Sequence, residues 1–214
     1  NFTTSSEIDV ASSHFILGLK ALHNFFYDVC KVEFEAAISI EPAFGMAYWG
    51  RALCSAQLVW NSENLDDSQY WLQLAKERNA FPGVMNMREQ RYFESVVALN
   101  NGTASLESRK ERYNAYLALL ENIADDYPED STAVAFVVLA RLAASSVASS
   151  SADARALQAA ARAAAKSAFV LHPSFPGTLH YGIHAHDFPN STIYEGGVEY
   201  AIQYPALVNE TCHS

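Results

Sequence analysis

Between Ala11 and Tyr204 the apolar residues recur three and four apart, and the pattern is cut by prolines, at Pro42, Pro82, Pro128, Pro173 and Pro189. That period puts the apolar side chains on one stripe of a helix, and proline ends each run because it has no N–H to continue the ladder. Strict alternation over five or more residues is absent, so no sheet is expected. The breaks predict ten helices: Ala11–Asn24, Phe26–Ile40, Ala43–Leu58, Asp66–Ala80, Asn86–Leu99, Leu106–Asp126, Thr132–Ser146, Ala152–Leu171, Thr178–His186 and Ile193–Tyr204. Residues 1–10 read as a polar arm, and 11–214 as one helical domain without a composition shift. The Ser-rich stretch Ser145–Ser151 reads as a turn, and His172 to Gly177 as a connector.

The stripes name the core. Phe15, Leu19 and Leu22 share a face of the first helix; Phe26, Cys30, Phe34 and Ile38 share one on the second. Tyr113, Tyr116, Leu117, Leu120 and Ile123 form the apolar side of the longest helix. A large–small pair also recurs. Leu17-Gly18 is followed 32 residues after its glycine by Trp49-Gly50, and Tyr181-Gly182 comes 132 residues after Gly50, close to four periods of about 34. Small residues allow two helices to cross closely, and a neighbouring aromatic, Phe34, fills the space left.

This arrangement resembles the tetratricopeptide repeat. Phe34 to Leu53 (FEAAISIEPAFGMAYWGRAL) and Pro176 to Pro189 (PGTLHYGIHAHDFP) are similar to two segments of a family of tetratricopeptide proteins widespread in bacterial genomes. Its members carry an AYWG helix, then a PG-x-x-H-x-x-I-H segment, then a further His-rich stretch. The resemblance implies an all-α, right-handed superhelical array of antiparallel helix pairs. It also implies that the protein continues past residue 214, because the sequence stops at Cys212-His213-Ser214 where that last stretch is due.

Charge and motifs exclude several functions. A formal net charge of −10 opposes a phosphate-binding surface, so no nucleic-acid partner is expected. Thr132–Ala148 is the most apolar run, but Arg141 interrupts it and it is too short to span a bilayer. There is no Gly-x-Ser-x-Gly elbow, P-loop or Gly-x-Gly-x-x-Gly. Asp66-Asp67 is accounted for by helix capping and the dipole, and Asp125-Asp126 by solvation. The expectation is a non-enzyme.

Asn-x-Thr sequons occur at Asn1, Asn101, Asn190 and Asn209. With 12 Asn and 7 Thr in 214 residues, chance supplies about 0.4. The excess points to N-linked glycans, a eukaryotic secretory route and an extracellular protein. Three cysteines fit that compartment. Cys30 and Cys54 lie on adjacent helices, 24 residues apart, and are expected to form a disulfide; Cys212 is left over.

Four of the seven histidines fall between His172 and His186. His180 and His184, at i and i+4, share a helix face and could bind one divalent metal, with His186, Asp187 and His213 as further donors. Without an adjacent HExxH glutamate, the bland reading is a pair lining a groove between helices. The expected function is therefore an interaction scaffold that binds a protein partner or copies of itself, self-assembling into filaments if its ends stay apolar. The alternative is a metal-binding protein or metal-dependent enzyme using His180 and His184.

Overall fold

A computed structural model describes residues 2–60, 62–188 and 191–207, with only the backbone described for 191–194. Ten helices and no strand occur among the described residues. They are α1 (Asp9–His23), α2 (Tyr27–Ile40), α3 (Gly45–Ala56), α4 (Leu65–Glu77), α5 (Met87–Leu99), α6 (Leu106–Asp126), α7 (Ser131–Ser146), α8 (Ser151–Leu171), α9 (Pro176–His186) and α10 (Ser191–Leu207). Local chemistry fixes the starts. Asn64 accepts from the Asp67 amide to cap α4, and Asn86 and Glu89 form a reciprocal capping box on α5. Asp130 accepts the Thr132 and Ala133 amides at α7, and Ser150 accepts the Asp153 amide at α8.

The chain forms two compact units, Asn1–Leu119 and Leu120–Ser214, with the boundary inside α6, where the sequence suggested one domain over 11–214. In the first unit α1 packs on α2 and α3, and α3 on α4 and α5. In the second, α7 packs on α8 and α9, α8 on α9, and α9 on α10. Packed neighbours joined by a few residues must run antiparallel. α1, α3 and α7 each thus touch the next helix in sequence and the next odd one, as in a helical-repeat array.

The glycines do what the pattern required. A Cβ on Gly18 would stand 3.1 Å from the Phe34 ring, and one on Gly50 would overlap that ring outright. Phe34 is fully buried between them. Gly182 plays the same part on α9, where a Cβ would meet Tyr200 of α10 at 2.6 Å. Phe15, Leu19 and Leu22 are buried, as are Cys30, Phe34 and Ile38, and the whole expected stripe of α6.

Three expectations need correction. Pro176 and Gly177 are not connector: they form the first turn of α9, where a proline's missing N–H costs no hydrogen bond. Asp67 is more than a dipole-matching residue. It receives Arg51 Nη1 at 2.8 Å and Nη2 at 3.3 Å and the Ser55 hydroxyl, while Glu35 receives Arg51 Nε at 2.6 Å. This chain of charge ties α2, α3 and α4 through one buried guanidinium. Finally, residues 2–8 do not hang free as a polar arm, because Phe2 is seated on the first unit.

Candidate functional site

The seat of Phe2 is built by the three odd-numbered helices of the first unit. Phe15 of α1, Trp49 of α3 and Tyr92 of α5 surround its ring, with centroids 5.6, 6.4 and 5.4 Å away. Trp49 and Tyr92 meet edge to face at 5.3 Å, so the seat is itself an aromatic cluster. Arg88 lies over the Phe2 ring at 4.4 Å, and its Nη2 donates to the Thr3 carbonyl at 2.7 Å. Glu89, fully buried, takes the Ser5 amide on Oε1 and the Ser5 hydroxyl on Oε2, each at 2.6 Å. Its Oε2 also accepts the Asn86 amide at 2.9 Å, so one carboxylate starts α5 and grips the segment. Ser6 donates to Glu41 at 2.5 Å. The arrangement reads a non-helical segment by one aromatic side chain and by an N–H and hydroxyl three residues on. Sequence reasoning missed this site. The signal was Phe2, the one aromatic in the mostly polar run ahead of the first helix.

The histidine site lies in the second unit. His180 and His184 approach ring to ring, with Nε2···Nε2 at 3.2 Å. His180 is buried and stacks near Tyr204 of α10 at 5.3 Å. A hydrogen bond between two ring nitrogens needs one neutral acceptor, so the pair cannot bond in this way with both rings charged. His186 turns elsewhere: its Nδ1 meets the Gly182 carbonyl at 2.8 Å, and its ring fills the space beside Gly196 and Gly197 of α10. Asp187 is the exposed C-cap of α9. His172 contacts the Pro128 carbonyl at 3.2 Å. Among the described residues no three His, Cys, Asp or Glu side chains come together to hold a metal ion. His213, also considered as a donor, lies outside the described residues, as does Cys212.

Cys30 of α2 and Cys54 of α3 form a disulfide with Cα atoms 6.1 Å apart, both fully buried. Asn101 is exposed in the connector between α5 and α6, with Gly102 and Thr103 exposed beside it. Asn1, Asn190 and Asn209 lie outside the described residues. A cavity of about 570 Å³ next to Asn101 includes Glu63 and Asp66 in its lining. Glu63 is already engaged by Arg109 at 2.9 Å and Arg112 at 2.8 Å. Burial alone would raise its carboxyl, but the hydrogen bonds and charges of Arg112 and Arg109 outweigh that and hold it below the ordinary range. Asp67 follows the same logic: burial pushes it up, and Arg51 and Ser55 bring it down further. The buried Tyr113 hydroxyl has no hydrogen-bond partner; burial, aided by the Glu63 charge, pushes it up to about 12. Glu63 ties the connector before α4 to α6, and Asp67 ties α4 to α3.

No helix among the described residues is long and apolar enough to cross a membrane. No family model matches the chain, and no curated protein matches it either.

Proposed function

We propose that this chain is a secreted, N-glycosylated scaffold of the tetratricopeptide-like kind, which binds non-helical protein segments and copies of itself. The observation that carries the proposal is the aromatic groove of α1, α3 and α5, which engages a non-helical segment through both side chain and backbone. Such readout supplies orientation from hydrogen bonds and affinity from a half-buried aromatic anchor. The outer faces support self-association. Val10 and Leu17 of α1 are exposed, as are Val29 and Val32 of α2. On the last helix Val198 and Ile202, at i and i+4, are exposed too. If such faces meet between copies without closing a ring, the product is a filament. The exposed Asn101, the sequon excess and the buried disulfide favour the secretory route.

Light scattering on the eluted glycoprotein across a concentration series tests self-association. The apparent mass is expected to rise with concentration and to fall when Val29 and Val32 are replaced by Ser. A single-chain mass throughout would sink it.

A second reading is favoured by one distance. Two ligands of a tetrahedral zinc with bonds near 2.0–2.1 Å stand about 3.3 Å apart, and the His180 and His184 nitrogens are 3.2 Å apart. The chain would then carry a divalent metal, with further donors supplied from outside the described residues. Metal analysis of the purified glycoprotein and of a His180→Gln/His184→Gln variant decides it: equal metal in both would remove this reading.

A further inference from the structure

We infer that the groove of α1, α3 and α5 is an exchange site, which accepts the Phe2–Ser6 segment of a second copy in place of its own. This rests on the self-association part of the reading above and names its device. The seat is built for that segment: an aromatic pocket for Phe2, Arg88 on the Thr3 carbonyl, and a fully buried Glu89 using both oxygens on Ser5. Every one of these contacts is made to groups that each copy of the chain carries, so the groove has no means of telling its own segment from a neighbour's.

The connection also permits exchange. α1 begins at Asp9, and only Glu7 and Ile8, both exposed, separate the seated residues from it. Ile8 is the N-cap and makes no side-chain cap hydrogen bond, so lifting the segment away melts no helical turn and breaks at the helix start only the long Ser6 hydroxyl contacts to the Ile8 amide, 3.3 Å, and carbonyl, 3.4 Å. A hinge of two residues spans only about 7 Å. A donor copy must therefore bring the start of its α1 against the acceptor. Ile8 and Val10, 40% and 58% exposed beside the hinge, are the apolar side chains such a seam would cover. A segment passed on from copy to copy gives a heterologous contact, and one returned gives a two-fold pair.

The test uses two full-length variants. Phe2→Ala weakens the segment and leaves the groove intact. Arg88→Glu leaves the segment intact and sets a carboxylate against the Thr3 carbonyl and the Phe2 ring. Both sites are at most half-buried, and circular dichroism should match the unaltered chain; Arg88→Ala replaces Arg88→Glu if it does not. Each variant alone should run as a single copy at a concentration where their mixture gives a two-chain mass by light scattering. A peptide of sequence Phe2–Glu7 should dissolve that complex. It should also bind the Phe2→Ala variant at least about tenfold more tightly than the unaltered chain, whose own segment competes at millimolar effective concentration. A mixture that stays single at every ratio overturns the exchange, even if the Phe2→Ala variant binds the peptide. If the unaltered glycoprotein nevertheless self-associates, the scaffold reading survives that result; if it too stays single, both fall.

Discussion

The Phe34 ring lies against two glycines, Gly18 of α1 and Gly50 of α3, and that single contact sets how closely three helices approach. A methyl at position 50 would overlap the ring, and Phe34 is fully buried with no room to withdraw. Alanine is favoured over glycine inside a helix by about 1 kcal/mol. Overpacking a core costs about 1–3 kcal/mol. Gly50→Ala is therefore expected to lower stability in urea, with Phe34→Leu in the same chain recovering part of the loss. A more stable Gly50→Ala protein would refute the close-crossing argument. The carboxyls of Asp67 and Glu63 make a second residue-scale prediction. Both are held below the ordinary range in the folded chain by their arginines. The unfolded chain then binds more protons at acid pH, and stability rises with pH there. The contribution is complete above the unfolded value of about 4 and is lost as pH falls through the lower folded values. Urea midpoints measured from neutral to acid pH should drop in that window, and Glu63→Gln should flatten the drop.

Pairs of helices are held by different means in the two units. In the first, the Cys30–Cys54 bond closes α2 on α3. By constraining the unfolded chain, a loop of this length contributes about 3 kcal/mol. The Cys30→Ala/Cys54→Ala protein should lose roughly that much in a denaturant titration, and a non-reducing peptide map of the unaltered chain should recover the two cysteines linked. In the second unit α9 meets α10 through Gly182 on Tyr200 and through His186 on Gly196 and Gly197. His180 and His184 add a contact within α9, with ring nitrogens 3.2 Å apart, and His180 stacks on Tyr204. The His180→Gln/His184→Gln variant keeps polar groups of similar size in place. It should keep its helical signal, and a variant that unfolds would show the pair to be a structural requirement of α9.

At the scale of the whole molecule the sequons give the plainest prediction. On the proposed reading, enzymatic glycan release should lower the intact mass of the chain expressed through a eukaryotic secretory route, and Asn101→Gln should remove one glycan's worth of that difference. No change on release would remove the secretory argument. Exposed apolar pairs on α1, α2 and α10 belong to this scale as well, since a helix face left uncovered within one chain is available between chains.

Helix number, breaks and core stripes were legible in the chain because a 3.6-residue period and proline's missing donor act locally. Even the pairing of Cys30 with Cys54 followed from adjacent helices. Asn1, Asn101, Asn190 and Asn209 were legible as sequons, because a glycan acceptor is a tripeptide. The part of Asp67 was not: the capping rule that explains an acid near a helix start contains no information about Arg51, 16 residues away on another helix. Nor was the start of α9, where Pro176 looked like a break because its tolerance at the first helical position depends on where the helix begins. The Phe2 seat required tertiary structure altogether. The sequence marked Phe15 as core and Trp49 as the large member of a large–small pair but did not single out Tyr92, and only the packing of α1 on α3 and α3 on α5 leaves their edges around one space. Local sequence fixes which face of a helix is apolar; which part of that face stays open to another segment is decided by the helices that cover the rest.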